Sequence, residues 1–187
     1  MAVLATAGAL GAAGCGDEPR QDADEPSGTY SVKVIEADFP ERQRLARKEE
    51  LAITVRNTGR ETIPNLAVTV DGFSRRVEQD GVADPNRPVW IIDEGPVGGT
   101  TAYVGTWALG PVRPNETKRF AWKVTAVQPG RHEVSFRVAA GLDGRARAVA
   151  EGGGAAEGSF DVRVSRRPAA ARVDPETGEV VRGDEAQ

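Results

Sequence analysis

"KEELAITVRNTGRETIPNLAVTVDG", residues 48–72, alternates apolar and polar side chains twice, with a turn in between. Leu51, Ile53 and Val55 share one parity against Thr54 and Arg56, and Leu66, Val68 and Val70 repeat the pattern. A period of two sends successive side chains to opposite faces of an extended chain, so each run predicts a strand with one wet face. Asn57-Thr58-Gly59 carries turn chemistry: Asn and Gly accept left-handed dihedrals, and an Asn side chain can bond the backbone of its own turn.

The same alternation recurs along the chain. Tyr30, Val32 and Val34 share a parity, as do Phe120, Trp122 and Val124, then Val134, Phe136 and Val138, then Phe160, Val162 and Val164. A less regular run carries Tyr103 and Trp107. Asp71-Gly72, Pro114-Asn115-Glu116 and Pro129-Gly130 punctuate these runs with turn residues. Residues 41–50, "ERQRLARKEE", have a helix-like composition but no apolar stripe, and read as a charged connection after the first strand. The prediction is all-β: an immunoglobulin-like, two-sheet antiparallel β-sandwich of about seven strands over residues 30–165. The 187-residue length suits one such domain with tails.

Residues 48–72, with an apolar strand running into Val55-Arg56-Asn57-Thr58-Gly59 and a second strand following, resemble the second and third strands of CARDB-type bacterial immunoglobulin-like domains. The later "ETKRFAWKVTAVQPGRHEVSFRVAAG" is compatible with the last hairpin of such domains. The resemblance implies a cell-surface module for adhesion, spacing or presentation, and fold alone assigns no activity.

Composition narrows the classes further. A net charge of −4 leaves no basic field for gathering nucleic acid. One cysteine excludes a disulfide framework or a thiolate zinc site, and one histidine excludes a multi-histidine centre. The Asp/Asn rhythm of a calcium loop is absent, so neither metal nor cofactor is expected.

Residues 2–14 are all Ala, Val, Leu, Gly or Thr, too short a run to span a bilayer as a helix but the length of a signal-peptide core. They end in Ala12-Ala13-Gly14 before Cys15, which resembles the lipobox of bacterial lipoproteins. The resemblance implies a signal peptide over 1–14, a diacylglyceryl group on Cys15, and an exported protein anchored to the membrane by lipid on its extracytoplasmic side. Residues 16–29 are acidic, contain proline and lack apolar periodicity, and read as a flexible tether. At the other end, residues 166–187 form a tail in which Val173 and Val180-Val181 flank a small hairpin turn.

The longest irregular stretch, Gly81 to Thr100, holds Trp90, Ile91, Asp93 and Glu94: an apolar anchor beside two acids, and the candidate contact with an envelope protein or polymer. Alternatively Trp90 plugs an open end of the sandwich, which the usual partial burial of loop aromatics favours. A second loop, residues 141–158, is rich in Gly and Ala and reads as flexible. An enzyme reading would need Asp93, Glu94 and His132 in one cleft, and no nucleophile motif accompanies them. The chain is therefore expected to be a non-catalytic binding, adhesion or spacer module; the alternatives are an envelope enzyme or an accessory subunit of an envelope complex.

Overall fold

A computed structural model describes residues 22, 25–73, 76–78, 86–168 and 171–182; Cys15 and the expected signal segment lie outside the described residues. The strands in chain order are β1 (Gly28–Asp38), β2 (Arg42–Leu45), β3 (Lys48–Asn57), β4 (Ala67–Asp71), β5 (Arg76–Glu78), β6 (Asn86–Pro88), β7 (Trp90–Glu94) and β8 (Thr100–Tyr103). They continue as β9 (Thr106–Ala108), β10 (Thr117–Ala126), β11 (Gly130–Ala139), β12 (Ala146–Ala150), β13 (Glu157–Pro168), β14 (Ala171–Val173) and β15 (Val180–Arg182). Among the described residues there is no helix, hence none long and apolar enough to cross a membrane.

Eleven strands build two sheets, ordered β12-β1-β3-β10-β7 and β2-β13-β11-β4-β9-β8. Alternation explains how they pack. Val32, Leu51, Ile53, Val55, Phe120, Trp122 and Val124 line the inner face of the first sheet. Val68, Val70, Val134, Phe136, Val138, Val162 and Val164 line that of the second. Each such side chain contributes about 1.5–3 kcal/mol when fully withdrawn from water, so two dry faces meeting is the stable outcome.

The architecture is the expected immunoglobulin-like sandwich, with four strands more than seven and with departures from pure antiparallel pairing. The run around Tyr103 and Trp107 is two strands folded at Gly105, whose φ is +74°. The expected connection at 41–50 contains β2, which pairs in parallel with β13, Arg42 opposite Arg163. The loop expected to be flexible at 141–158 contains β12, parallel to β1 with Gly28 opposite Ala146. The irregular stretch at 81–100 contains β6, β7 and the start of β8.

The segment read as a tether is held to the sandwich at Asp22 and Glu25. Asp22 is buried and its carboxylate accepts from the Tyr103 hydroxyl at 2.8 Å. Glu25 accepts from the Leu142 backbone N–H and, at 3.0 Å, from Asn65 Nδ2. The C-terminal hairpin forms with Val173 opposite Val180, its turn held by the Asp174 carboxylate accepting from the Glu176 and Thr177 N–H groups.

Asn57-Thr58-Gly59 keeps one part of the expectation, the Asn57 side chain bonding the backbone of its own turn, and departs from the other. Neither Asn57 nor Gly59 has a positive φ. Asn57 ends β3 with its side chain inside: Oδ1 accepts from Gly59 N–H at 2.9 Å, while Nδ2 donates to the carbonyls of Glu61 at 2.8 Å and Val112 at 2.9 Å. The left-handed residue is Asn115 instead, at φ +63° in the Pro114-Asn115-Glu116 turn alongside.

Candidate interaction surfaces

Trp90 is the first residue of β7, an edge strand of the first sheet. It is 1% exposed, and its Nε1 donates to Gln43 Oε1 at 2.8 Å. Its ring meets Phe39 at 5.7 Å, Phe73 at 6.2 Å and His132 at 5.5 Å between centroids. Trp90 is thus a core residue that joins the two sheets rather than a partner contact. Its neighbours remain outside, Ile91 at 50% exposure and Ile92 at 37%.

Asp93 and Glu94 would face opposite ways on a regular strand. A register shift between Lys123 and Val124 breaks that rule, and both acids reach the outer side chains of β10. Asp93 accepts from the Thr125 hydroxyl at 2.7 Å, and Glu94 pairs with Lys123 at 2.8 Å. The hydrogen bond from Lys123 holds the Glu94 carboxyl below its ordinary pKa. Both acids are thereby occupied within the first sheet's outer face.

That face is self-neutralised. Arg119 contacts Glu36 at 3.5 Å and Glu50 at 2.8 Å, and Lys33 reaches Glu151 at 3.1 Å. The Thr54 hydroxyl donates to Glu36 at 2.6 Å and, with Arg119, holds the Glu36 carboxyl low. In register, Glu36, Thr54 and Arg119 form one row across β1, β3 and β10 with opposite charges at its two ends.

His132 belongs to the other sheet and shares none of this. It points inward beside Trp90, so the structure does not gather Asp93, Glu94 and His132 into one cleft. Burial pushes its imidazole below the ordinary value near 6.5, against the opposing pull of the Gln128 and Pro129 backbone. A base with a depressed folded pKa binds fewer protons when native than when unfolded just below pH 6.5, so its contribution is full above that pH and lost as pH falls. Denaturant melts at pH 7.5 and 5.5 should show the wild type losing stability on acidification, and His132→Phe losing clearly less. As the chain has one histidine, the difference belongs to this ring.

The outer face of the six-stranded sheet has another character. Arg42, Arg163 and Arg131 stand in one row across β2, β13 and β11. One step along, Asp161 stands opposite Glu133. Glu41 precedes β2 and, since β2 runs parallel to β13, lies on the same side of the arginines as Asp161. All six side chains are exposed, and none has an ion-pair partner among the described residues. With His132 and Val162 they line an open groove of about 560 Å³. Sequence reading missed this surface, because same-charge neighbours across strands become visible only once the register is known.

Two packed sheets, with no helix among the described residues, define this chain as an immunoglobulin-like β-sandwich module. No protein-family model matches the chain, and no curated protein matches its sequence. Among solved structures it is similar to a CARDB domain from Pyrococcus furiosus, described as in complex with di-metal ions, at 17% identity, 74% of this chain, 93% of that chain and a TM-score of 0.43. A solution structure of a CARDB domain from the same organism gives 19%, 73%, 93% and 0.42. The alkylpurine DNA glycosylase of Pseudomonas fluorescens, bound to DNA containing an abasic-site analogue, gives 13%, 71% of this chain, 30% of that chain and 0.38. Among this chain's described residues no three His, Cys, Asp or Glu side chains are grouped to hold a metal ion.

Proposed function

We propose that the protein is a bacterial envelope lipoprotein, lipidated at Cys15 and presenting its sandwich on the extracytoplasmic side as a non-catalytic binding or spacer module. One observation carries the reading: an apolar run over 2–14 that ends in Ala12-Ala13-Gly14 immediately before the chain's one cysteine, with a folded sandwich starting at Gly28. Two acyl chains, each methylene adding ~0.8 kcal/mol of membrane affinity, anchor stably where one chain is marginal. With Asp22 held on the sandwich, the stretch from Cys15 spans at most about 25 Å when fully extended. The domain therefore stands close to the surface that holds it.

The test is intact mass and detergent partitioning of the protein produced in a bacterium, beside Cys15→Ala. The expected result is a chain beginning at a diacylated Cys15 that enters the detergent phase, while the variant stays in the aqueous phase. A chain retaining residues 1–14 with a free thiol overturns the proposal.

A further inference from the structure

The charge rows on the six-stranded sheet set same-sign groups directly across neighbouring strands, an arrangement that destabilises a sheet. Where it recurs on the first sheet, at Lys33 opposite Arg56, each side chain has a partner: Lys33 pairs with Glu151 at 3.1 Å and Arg56 donates to Asn115 Oδ1 at 3.2 Å. Further along the same strand pair, Arg137 stands opposite Glu157 and pairs with it at 3.7 Å. On the outer face of the first sheet Arg119 is paired with Glu36 and Glu50, and Lys123 with Glu94. Arg42, Arg163 and Arg131 and the acids beside them, Glu41, Asp161 and Glu133, have no such ion-pair partner among the described residues.

Residues two apart on a strand are about 7 Å apart, so Arg163 and Arg131 form one stripe and Asp161 and Glu133 a parallel one of opposite sign, with Arg42 and its chain neighbour Glu41 beside them in the same groove lining. A polyanion laid on the arginines would also lie against the acids, and a polycation would meet the converse. The surface complementary to both stripes carries the same two stripes in reverse order. A twofold axis running between the stripes and parallel to them generates that surface from the molecule itself. It sets Arg163 over Asp161 and Arg131 over Glu133 of the second copy, each contact occurring twice, as in any isologous interface.

We propose that this face binds a second copy of the chain through the two charge stripes, about a twofold axis across β2, β13 and β11. Arginine suits the role because its planar fork holds a carboxylate in two hydrogen bonds. The geometry also orients the pair. Gly28 lies beside Ala146, and Glu25 bonds to Leu142, just beyond the C-terminal end of β11, whereas the stripes cross β11 at its N-terminal end. The twofold reverses strand direction, so the two chains overlap at the striped ends and their Gly28 ends point apart. Combined with the anchor proposed above, that arrangement joins two separately anchored surfaces; the contact itself rests on the charge pattern alone.

Sedimentation of the full chain carrying Cys15→Ala tests the contact independently of lipid. The expected result is reversible dimerisation with a Kd on the order of 100 µM at about 0.05 M salt, weakening about tenfold or more at about 0.5 M salt as the charges are screened. In that background, Arg131→Glu/Arg163→Glu and Glu133→Arg/Asp161→Arg should each sediment as monomers, and an equimolar mixture of the two should recover the dimer. The two charge-reversed proteins check each other's folding, since only intact faces restore the contact. A monomer at all concentrations up to ~1 mM overturns the proposal, as does a dimer that survives either double substitution. Two folded variants that fail to associate when mixed, or a wild-type monomer that instead captures an anionic polysaccharide such as heparin, overturn it as well.

Discussion

Trp90→Ala should lower the free energy of unfolding by about 3–5 kcal/mol, the range for removing a buried tryptophan from a packed core. The indole is 1% exposed and touches Phe39, Phe73 and His132, so its loss leaves a cavity lined by those three rings. It also removes the donor to Gln43, which is itself buried and holds the Pro40 carbonyl through Nε2 at 3.1 Å. In a chain of this size the loss amounts to a fall in melting temperature of about 10 °C. Ile91→Ala, one residue along and half exposed, should change stability by less than about 0.5 kcal/mol. Urea melts of the two variants check the pair; a Trp90→Ala protein as stable as the wild type would return Trp90 to the surface and overturn the placement of β7.

Asn57 supports the second large effect. Its side chain is 1% exposed and makes three hydrogen bonds to the backbone, tying the end of β3 to the turn at Gly59 and to Val112. Asn57→Ala should cost about 2–3 kcal/mol. The cost is moderated because the Val112 carbonyl keeps the Ile63 N–H as a second donor, at 2.9 Å. Asn57→Asp should cost more, about 3 kcal/mol or above at pH 8, since it aims a buried carboxylate at two carbonyl oxygens. Those carbonyls favour the protonated acid, raising its folded pKa above the unfolded value. The native state then binds more protons than the unfolded one between the two pKa values, so the Asp variant should regain stability as pH falls toward 5. Melts of both variants at pH 8 and 5 decide the matter: a pH-independent Asn57→Asp deficit would mean that the side chain does not face those carbonyls.

The alternating segments are legible in the sequence because their information is local. Val134, Phe136 and Val138 declare their inward face through parity alone, and β11 buries all three. Other strands lack that signal. β2 reads Arg-Gln-Arg-Leu and β12 reads Ala-Arg-Ala-Val-Ala; both are short edge strands attached in parallel to partners more than a hundred residues away in sequence. Parallel attachment uses no adjacent turn, so no Gly or Asn pair announces it. The position of Trp90 is ambiguous in the sequence for a related reason. Burial of one aromatic in an irregular stretch depends on whether Phe39, Phe73 and Gln43 converge on it, and they come from distant parts of the chain.

From the sequence alone followed the class of fold, the inward residues of the principal strands, and the apolar run that ends at Cys15, since each depends on side chains close together along the chain. Only the tertiary structure decided that Trp90 belongs to the core, that a bulge turns Asp93 and Glu94 to one face, that Asp22 and Glu25 dock on the sandwich, and that Arg163, Arg131, Asp161 and Glu133 form two opposed stripes. Those outcomes depend on strand register. A shift of one residue sends every side chain of a strand to the other face and changes its cross-strand neighbours, and register is set by the packing of the whole sandwich.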